Sequence, residues 1–170
     1  MEIWDLYDAN RTPLHQTHTR GTPVPKGFYH IVVEVWTVNN KGEVLLTLRS
    51  PTSVTYPNQW ETTCGSVLAG ETSLNGALRE LNEETGIAAG AEQIHFVKTF
   101  CKNTSFVDVY LVCKDVAIQK IVLQSGETSA ARWATFAEVK QMLAEGTMAF
   151  PKGKNPDEIY NMYTNICNLT

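Results

Sequence analysis

Short stretches in which apolar residues crowd or alternate, broken by turn-forming residues, dominate the chain and predict strands. Ile3-Trp4-Asp5-Leu6-Tyr7 alternates and breaks at Asp8-Ala9-Asn10, a strand and then a turn. From His15 to Lys26 the chain is polar, and Pro23 and Pro25 exclude a helix, so an irregular connection is expected. Tyr29 to Val38, dense in Val, Ile, Trp and Tyr, predicts a central strand. The turn Asn39-Asn40-Lys41-Gly42 leads back into a strand over Val44 to Leu48. Beyond the loop at Ser50 to Asn58, Trp60 to Cys64 reads as a short strand. Ile94 to Phe100 and Phe106 to Val112 read as two more, and Ala130 to Ala134 as a weaker one.

The period lengthens at Leu74. Leu74, Ala77, Leu78 and Leu81 recur every three or four residues and predict a helix to Thr85. Gly86 then sits where a left-handed capping glycine belongs. Thr135, with Glu138 as its capping-box partner, starts a second helix through Leu143, which Gly146 ends. Asp157 to Asn168 forms a third. Many strands with few helices between them predict the α+β class, a mixed β-sheet sandwiched between α-helices, with residues 1–170 as a single domain.

Composition narrows the partners. The net charge of -4 argues against a broad nucleic-acid-binding face, which needs clustered Lys and Arg. A small nucleotide substrate stays open, because a bound metal supplies positive charge locally. Met1 to Asp5 has no apolar signal region, and no apolar run approaches the roughly 18–20 residues that span a bilayer. A soluble, cytoplasmic protein is expected. Cys64, Cys101, Cys113 and Cys167 include no CxxC pair and are expected to be reduced thiols. His15, His18, His30 and His95 show no metal-binding spacing. Trp4, Trp36, Trp60 and Trp133 are expected mostly in the core.

The informative acids lie on the first helix. Glu80 shares a face with Glu83 and Glu84, three and four positions on. Like charges at that spacing destabilise a helix by roughly 0.2–0.5 kcal/mol per pair. The dipole disfavours anions in the last turns by about 0.3–1 kcal/mol each. Arg79 offsets part of this by pairing with Glu83. Taken alone, the three acids fit a solvated face as well as they fit a cation site. A hard divalent ion would resolve the conflict, since magnesium prefers carboxylate oxygens.

The surrounding residues carry a resemblance. Gly65, five residues, Glu71, seven residues, then Arg79-Glu80-Leu81-Asn82-Glu83-Glu84-Thr85-Gly86-Ile87 resembles the Nudix box over residues 65–87. The resemblance implies the Nudix fold and a hydrolase that uses Mg2+ or Mn2+ to cut a nucleoside diphosphate linked to another group. It implies Glu80 and Glu84 as metal ligands, Glu83 as a further ligand or orienter of the attacking water, and a main-chain carbonyl at Cys64-Gly65 as another ligand. Glu71 would pair with Arg79 in a supporting role, and Gly86 would close the box. Glu83 and Glu127, the latter in the loop Gln124 to Thr128, are the two candidates for the base. Arg49 is a candidate phosphate contact. The resemblance also makes a homodimer the expected assembly.

Cys64 opens an alternative. Trp60 to Gly65 and the segment Trp4 to His30 resemble isopentenyl diphosphate isomerases, which share the Nudix fold and use a cysteine at this place in allylic proton transfer. Those enzymes also carry a later catalytic glutamate, which Asp108-Val109-Tyr110 does not replace. A small buried thiol is the plainer account of Cys64.

Overall fold

The structure, a computed structural model, describes residues 2–167. Met1 and Asn168, the expected end of the last helix, lie outside the described residues. β1 (Ile3–Tyr7) and β2 (Pro13–Thr19) form an antiparallel hairpin with Trp4 opposite His18. The second strand of that hairpin lies where an irregular connection was expected. β2 is largely exposed, so it needs no apolar period, and Pro13 sits at its first position, where a missing donor costs least.

The main sheet contains β3 (His30–Val38), β4 (Glu43–Arg49), β5 (Trp60–Glu61), β6 (Thr63–Ser66), β7 (Ile94–Lys102), β8 (Ser105–Cys113) and β9 (Thr128–Thr135). Its order is β5-β4-β3-β8-β7, with β6 also on β3 and β9 also on β4. β3 runs parallel to β8, from His30 opposite Ser105 to Val38 opposite Cys113, while the other pairs are antiparallel. The mixed sheet is therefore as expected. The single strand expected over Trp60 to Cys64 is two, because β5 pairs with β4 and β6 with β3.

That division positions the site. β4 meets β3 only at Val38 and Val44, whereas β6 runs beside β3 from Val32 to Val35. The sheet splits between them. α1 (Ser73–Thr85) packs Ala77 and Leu81 on Ile31, Val33 and Val35 of one face. α2 (Phe136–Ala144) and α3 (Pro156–Cys167) cover Trp36, Leu46 and Leu111 on the other. With both faces covered, β3 is buried almost throughout. Among the described residues, no helix is long and apolar enough to cross a membrane.

The caps follow the sequence. Thr72 accepts from the Asn75 N–H at the start of α1, and Gly86 ends it at φ 71°, its N–H bonded to the Asn82 carbonyl. A β-carbon on Gly86 would also lie 2.9 Å from Val122, so no side chain fits there without movement. One expectation is overturned: Cys113 and Cys167 are bonded as a disulfide, with α-carbons 6.4 Å apart. The end of α3 packs beside the end of β8, a proximity that spacing along the chain does not reveal. Cys64 and Cys101 are free.

Candidate active site

A cavity of about 580 Å³ opens where the sheet splits, bounded by β6, the end of α1, the loop before β9 and the β1–β2 hairpin. Glu61, Glu80, Glu83, Glu84 and Glu127 all reach it.

Arg79 organises the acids of α1. Its Nε and Nη2 donate to the two Glu71 oxygens at 3.1 and 3.0 Å, and Nη2 also donates to the Ser66 carbonyl. Its Nη1 donates to Glu80 at 2.8 Å and to Glu83 at 3.0 Å. Glu71 further accepts the Leu68 N–H, which ties the loop to the helix. Burial alone would lower the Arg79 pKa, but its bonds to Glu71 and Glu80 outweigh that and raise it. Gly65 lies against Glu80 so closely that a β-carbon there would overlap the Glu80 carboxylate. Glu83, by contrast, points outward, with its side chain 46% exposed.

Glu84 has a different environment. It is buried, and its Oε2 has no hydrogen-bond partner. Burial first, then the charges of Glu61 and Glu80, push its pKa well above the ordinary 4.5. Burial likewise raises Glu80, against the pull of Arg79. Glu61, on β5, is a residue that sequence reasoning missed. It is buried, and burial pushes its pKa up to about 7 although Arg49 opposes the shift. The Arg49 Nη1 donates to both Glu61 oxygens, at 2.8 and 3.0 Å, and its Nε to the Thr55 carbonyl. Arg49 therefore lines the cavity with its guanidinium already engaged.

Behind this wall Lys154, with its side chain 1% exposed, donates to Glu34 and Thr62 at 2.6 and 2.7 Å. Cys64 pairs across the strands with Glu34, and burial, then Glu34, raises the thiol so that it stays protonated. Asp108 is not at the cavity. It is bound by Arg11, Ser73 and Thr99 beneath the N-terminal hairpin. On the far side of the cavity stand Lys102 and Lys152, with Phe100 and Phe150 between the two ends. Phe150 adopts φ 48°, a conformation that costs an aromatic residue about 1–3 kcal/mol and concentrates at ligand sites.

Among the described residues, no three His, Cys, Asp or Glu side chains converge tightly enough to cage a metal ion by themselves. Magnesium does not require such a cage, since it keeps waters and substrate oxygens among its ligands.

Comparison with known proteins agrees with this geometry. Residues 28–153 match the NUDIX domain family. A Nudix hydrolase of Listeria monocytogenes is 34% identical over 147 residues, covering 86% of this chain and 87% of that protein. An isopentenyl-diphosphate Delta-isomerase of Paenarthrobacter aurescens is 29% identical over 164 residues, covering 91% of this chain and 85% of that one. The crystal structure of a Deinococcus radiodurans protein shares the fold with a TM-score of 0.77, at 23% identity, covering 95% of this chain and 99% of that chain. The chain belongs to the Nudix hydrolase family and is a pyrophosphohydrolase of that general kind.

Proposed function

We propose that the chain is a divalent-metal-dependent hydrolase that cleaves the diphosphate linkage of a nucleoside diphosphate joined to another group, or of a related organic diphosphate. One observation carries this reading: Glu84 is buried with an unpartnered oxygen beside two further acids. A buried carboxylate left in that state is costly unless a cation completes it.

The donor set fits such an ion. Glu80 and Glu84, with the main-chain carbonyl at Gly65, offer the hard oxygens that Mg2+ or Mn2+ prefers. Glu83 is a further ligand within reach of the same helix face. When bound, the ion would neutralise charge on the diphosphate and lower the pKa of nearby water. Arg79 holds Glu80 in place, and Glu71 holds Arg79. Arg49 keeps Glu61 oriented. Glu127 is the proton acceptor for the attacking water, because it lines the cavity with no bond to Arg79, whereas Glu83 is turned to that arginine.

Release of nucleoside monophosphate from ADP-ribose, a dinucleoside polyphosphate and a nucleotide sugar, with magnesium and then with a chelator, tests the reading. Hydrolysis abolished by the chelator is expected. Full activity in the chelator would remove the metal from the reaction, and no hydrolysis of any organic diphosphate would remove the reading itself.

A second reading, isopentenyl diphosphate isomerisation, is favoured by Cys64 at the cavity wall beside the buried Glu34–Lys154 pair. The isomerase relative points the same way. Against it, Asp108 is fully engaged elsewhere and offers no further cavity acid. Measuring allylic isomer formation beside phosphate release separates the two.

A further inference from the structure

We infer that the cavity holds a second subsite, built on Lys102 and Lys152, that takes a phosphate group of the substrate remote from the diphosphate. This rests on reading the glutamate end as the diphosphate site.

Strand register gives the separation. On one face of the sheet, Phe100, Val107, Val32 and Ser66 form a row across β7, β8, β3 and β6, and Lys102, Ser105 and His30 form the next row. Three strand spacings separate the β6 and β7 backbones, about 14 Å. The Lys102 side chain shortens that gap, reaching the Phe150 ring that Arg49 also approaches, so the two ends face each other across the sheet. Between the ends lie Phe100, Val107 and Val32, all lining the cavity, which suit an apolar or flat ring system.

The cations at the far end are not neutralised by the protein. Among the described residues, neither Lys102 nor Lys152 has a carboxylate within ion-pair distance, whereas Lys154 close by is matched to Glu34. The two free ammonium groups face one cavity and repel each other, the converse of the glutamate end, and an anion between them removes the repulsion. Lys102 is held for the purpose: its Nζ lies 4.8 Å from the centre of the Phe150 ring, which Arg49 approaches at 5.2 Å. Asn103, Thr104 and Ser105, at the turn after Lys102, line the same end and add neutral donors. Lysines spread over an open surface would be solvated and need no ligand. Half-burial inside the cavity distinguishes Lys102 from such a lysine, and Lys152 joins it from the exposed rim.

Matched substrates that share one diphosphate and differ by one phosphomonoester test the proposal: NADPH against NADH, and coenzyme A against dephospho-coenzyme A. The phosphorylated member should show a KM about tenfold lower at similar kcat, the scale of one charge-assisted contact. Replacing Lys102→Ala together with Lys152→Ala should abolish that preference while leaving the unphosphorylated member unchanged, and Lys102→Arg should keep it. Lys152→Ala alone, at an exposed position, should halve the preference or more without affecting folding. Equal KM values in the unmodified chain, or a preference that survives the double substitution, would overturn the proposal. If neither pair is cleaved, the hydrolase reading is decided by the wider panel of organic diphosphates, and calorimetric binding of NADPH against NADH decides the subsite: tighter NADPH supports it, equal binding overturns it.

Discussion

Asp108 and Glu84 are buried almost equally, at 1% and 5% exposure, and their pKa values move in opposite directions. Burial raises both. At Asp108 the bonds from Arg11, Ser73 and Thr99 outweigh burial and hold the carboxyl below its ordinary 3.8. At Glu84 nothing outweighs it: one oxygen is unpartnered and the nearest charges are negative. Burial therefore does not mark a functional acid, whereas burial without compensation does. Asp108 ties the N-terminal hairpin, through Arg11, to α1 through Ser73 and to β7 through Thr99. It is an anchor. Glu84 is a site held ready at the expense of stability.

The contrast predicts a reversal between two isosteric changes. Glu84→Gln should lower turnover at least about a hundredfold, because it weakens the charge stabilisation of the transition state. It should also leave the ion-free protein at least as stable, since it removes a buried carboxyl whose ionised form nothing compensates. Thermal unfolding beside turnover checks both, and unchanged turnover would contradict the assignment of Glu84. Asp108→Asn should do the opposite. It breaks the charged bonds to Arg11 and lowers stability by about 2–3 kcal/mol, while activity of the folded protein persists below its melting temperature. A large loss of turnover in folded Asp108→Asn would bring that residue back into the chemistry.

How far this was legible in the sequence depended on the range of each interaction. Glu80, Glu83 and Glu84 were visible because helical spacing puts them on one face, and Gly86, Thr135 and Glu138 because capping is local. The central strands were visible because β3 and β8 are nearly continuous apolar runs. β2 was not, since its pairing comes from the edge of β1 rather than from any pattern of its own. Glu61 was missed because one acid in Trp-Glu-Thr-Thr has no period. It meets Arg49 only through the register that sets Thr47 opposite Glu61, and it faces Glu84 only because β4 and β6 diverge. Cys113 and Cys167, 54 residues apart, were hidden for the same reason. An inward acid on the strand just ahead of the box is the one cue that would have found Glu61.

The two kinds of carboxylate should also separate by pH. Glu61 is raised from 4.5 to about 7, so between those values the folded protein keeps a proton that the unfolded chain has released. Stability of the ion-free protein then falls as pH rises from 4.5 to 7. The shift corresponds to an effect on the order of 2 kcal/mol once water in an open cavity is allowed for. Asp108 works the other way, adding stability above pH 3.8 that is lost as pH falls below it. Melting curves at pH 5 and pH 7 in a chelator should show the decline, Glu61→Gln should reduce it, and magnesium should reduce it by taking the proton's place. A decline unaltered by Glu61→Gln would place the titration elsewhere.

The smallest change tests whether Glu80 belongs with Glu84 or with Asp108. Gly65 has no need of a positive φ, so alanine fits its backbone, but the new methyl group would occupy the space of the Glu80 carboxylate. That carboxylate is the end of a flexible side chain and swings aside at little cost to the fold. In moving it leaves Arg79 and the cation site. Gly65→Ala should therefore lower turnover by about tenfold, the size of a displaced contact in the transition state, and raise the magnesium concentration needed for half activity. Stability should change by less than about 1 kcal/mol, because no core contact is lost. If stability drops while turnover at saturating magnesium is untouched, Glu80 is an anchor like Asp108, and the functional acids reduce to those around Glu84.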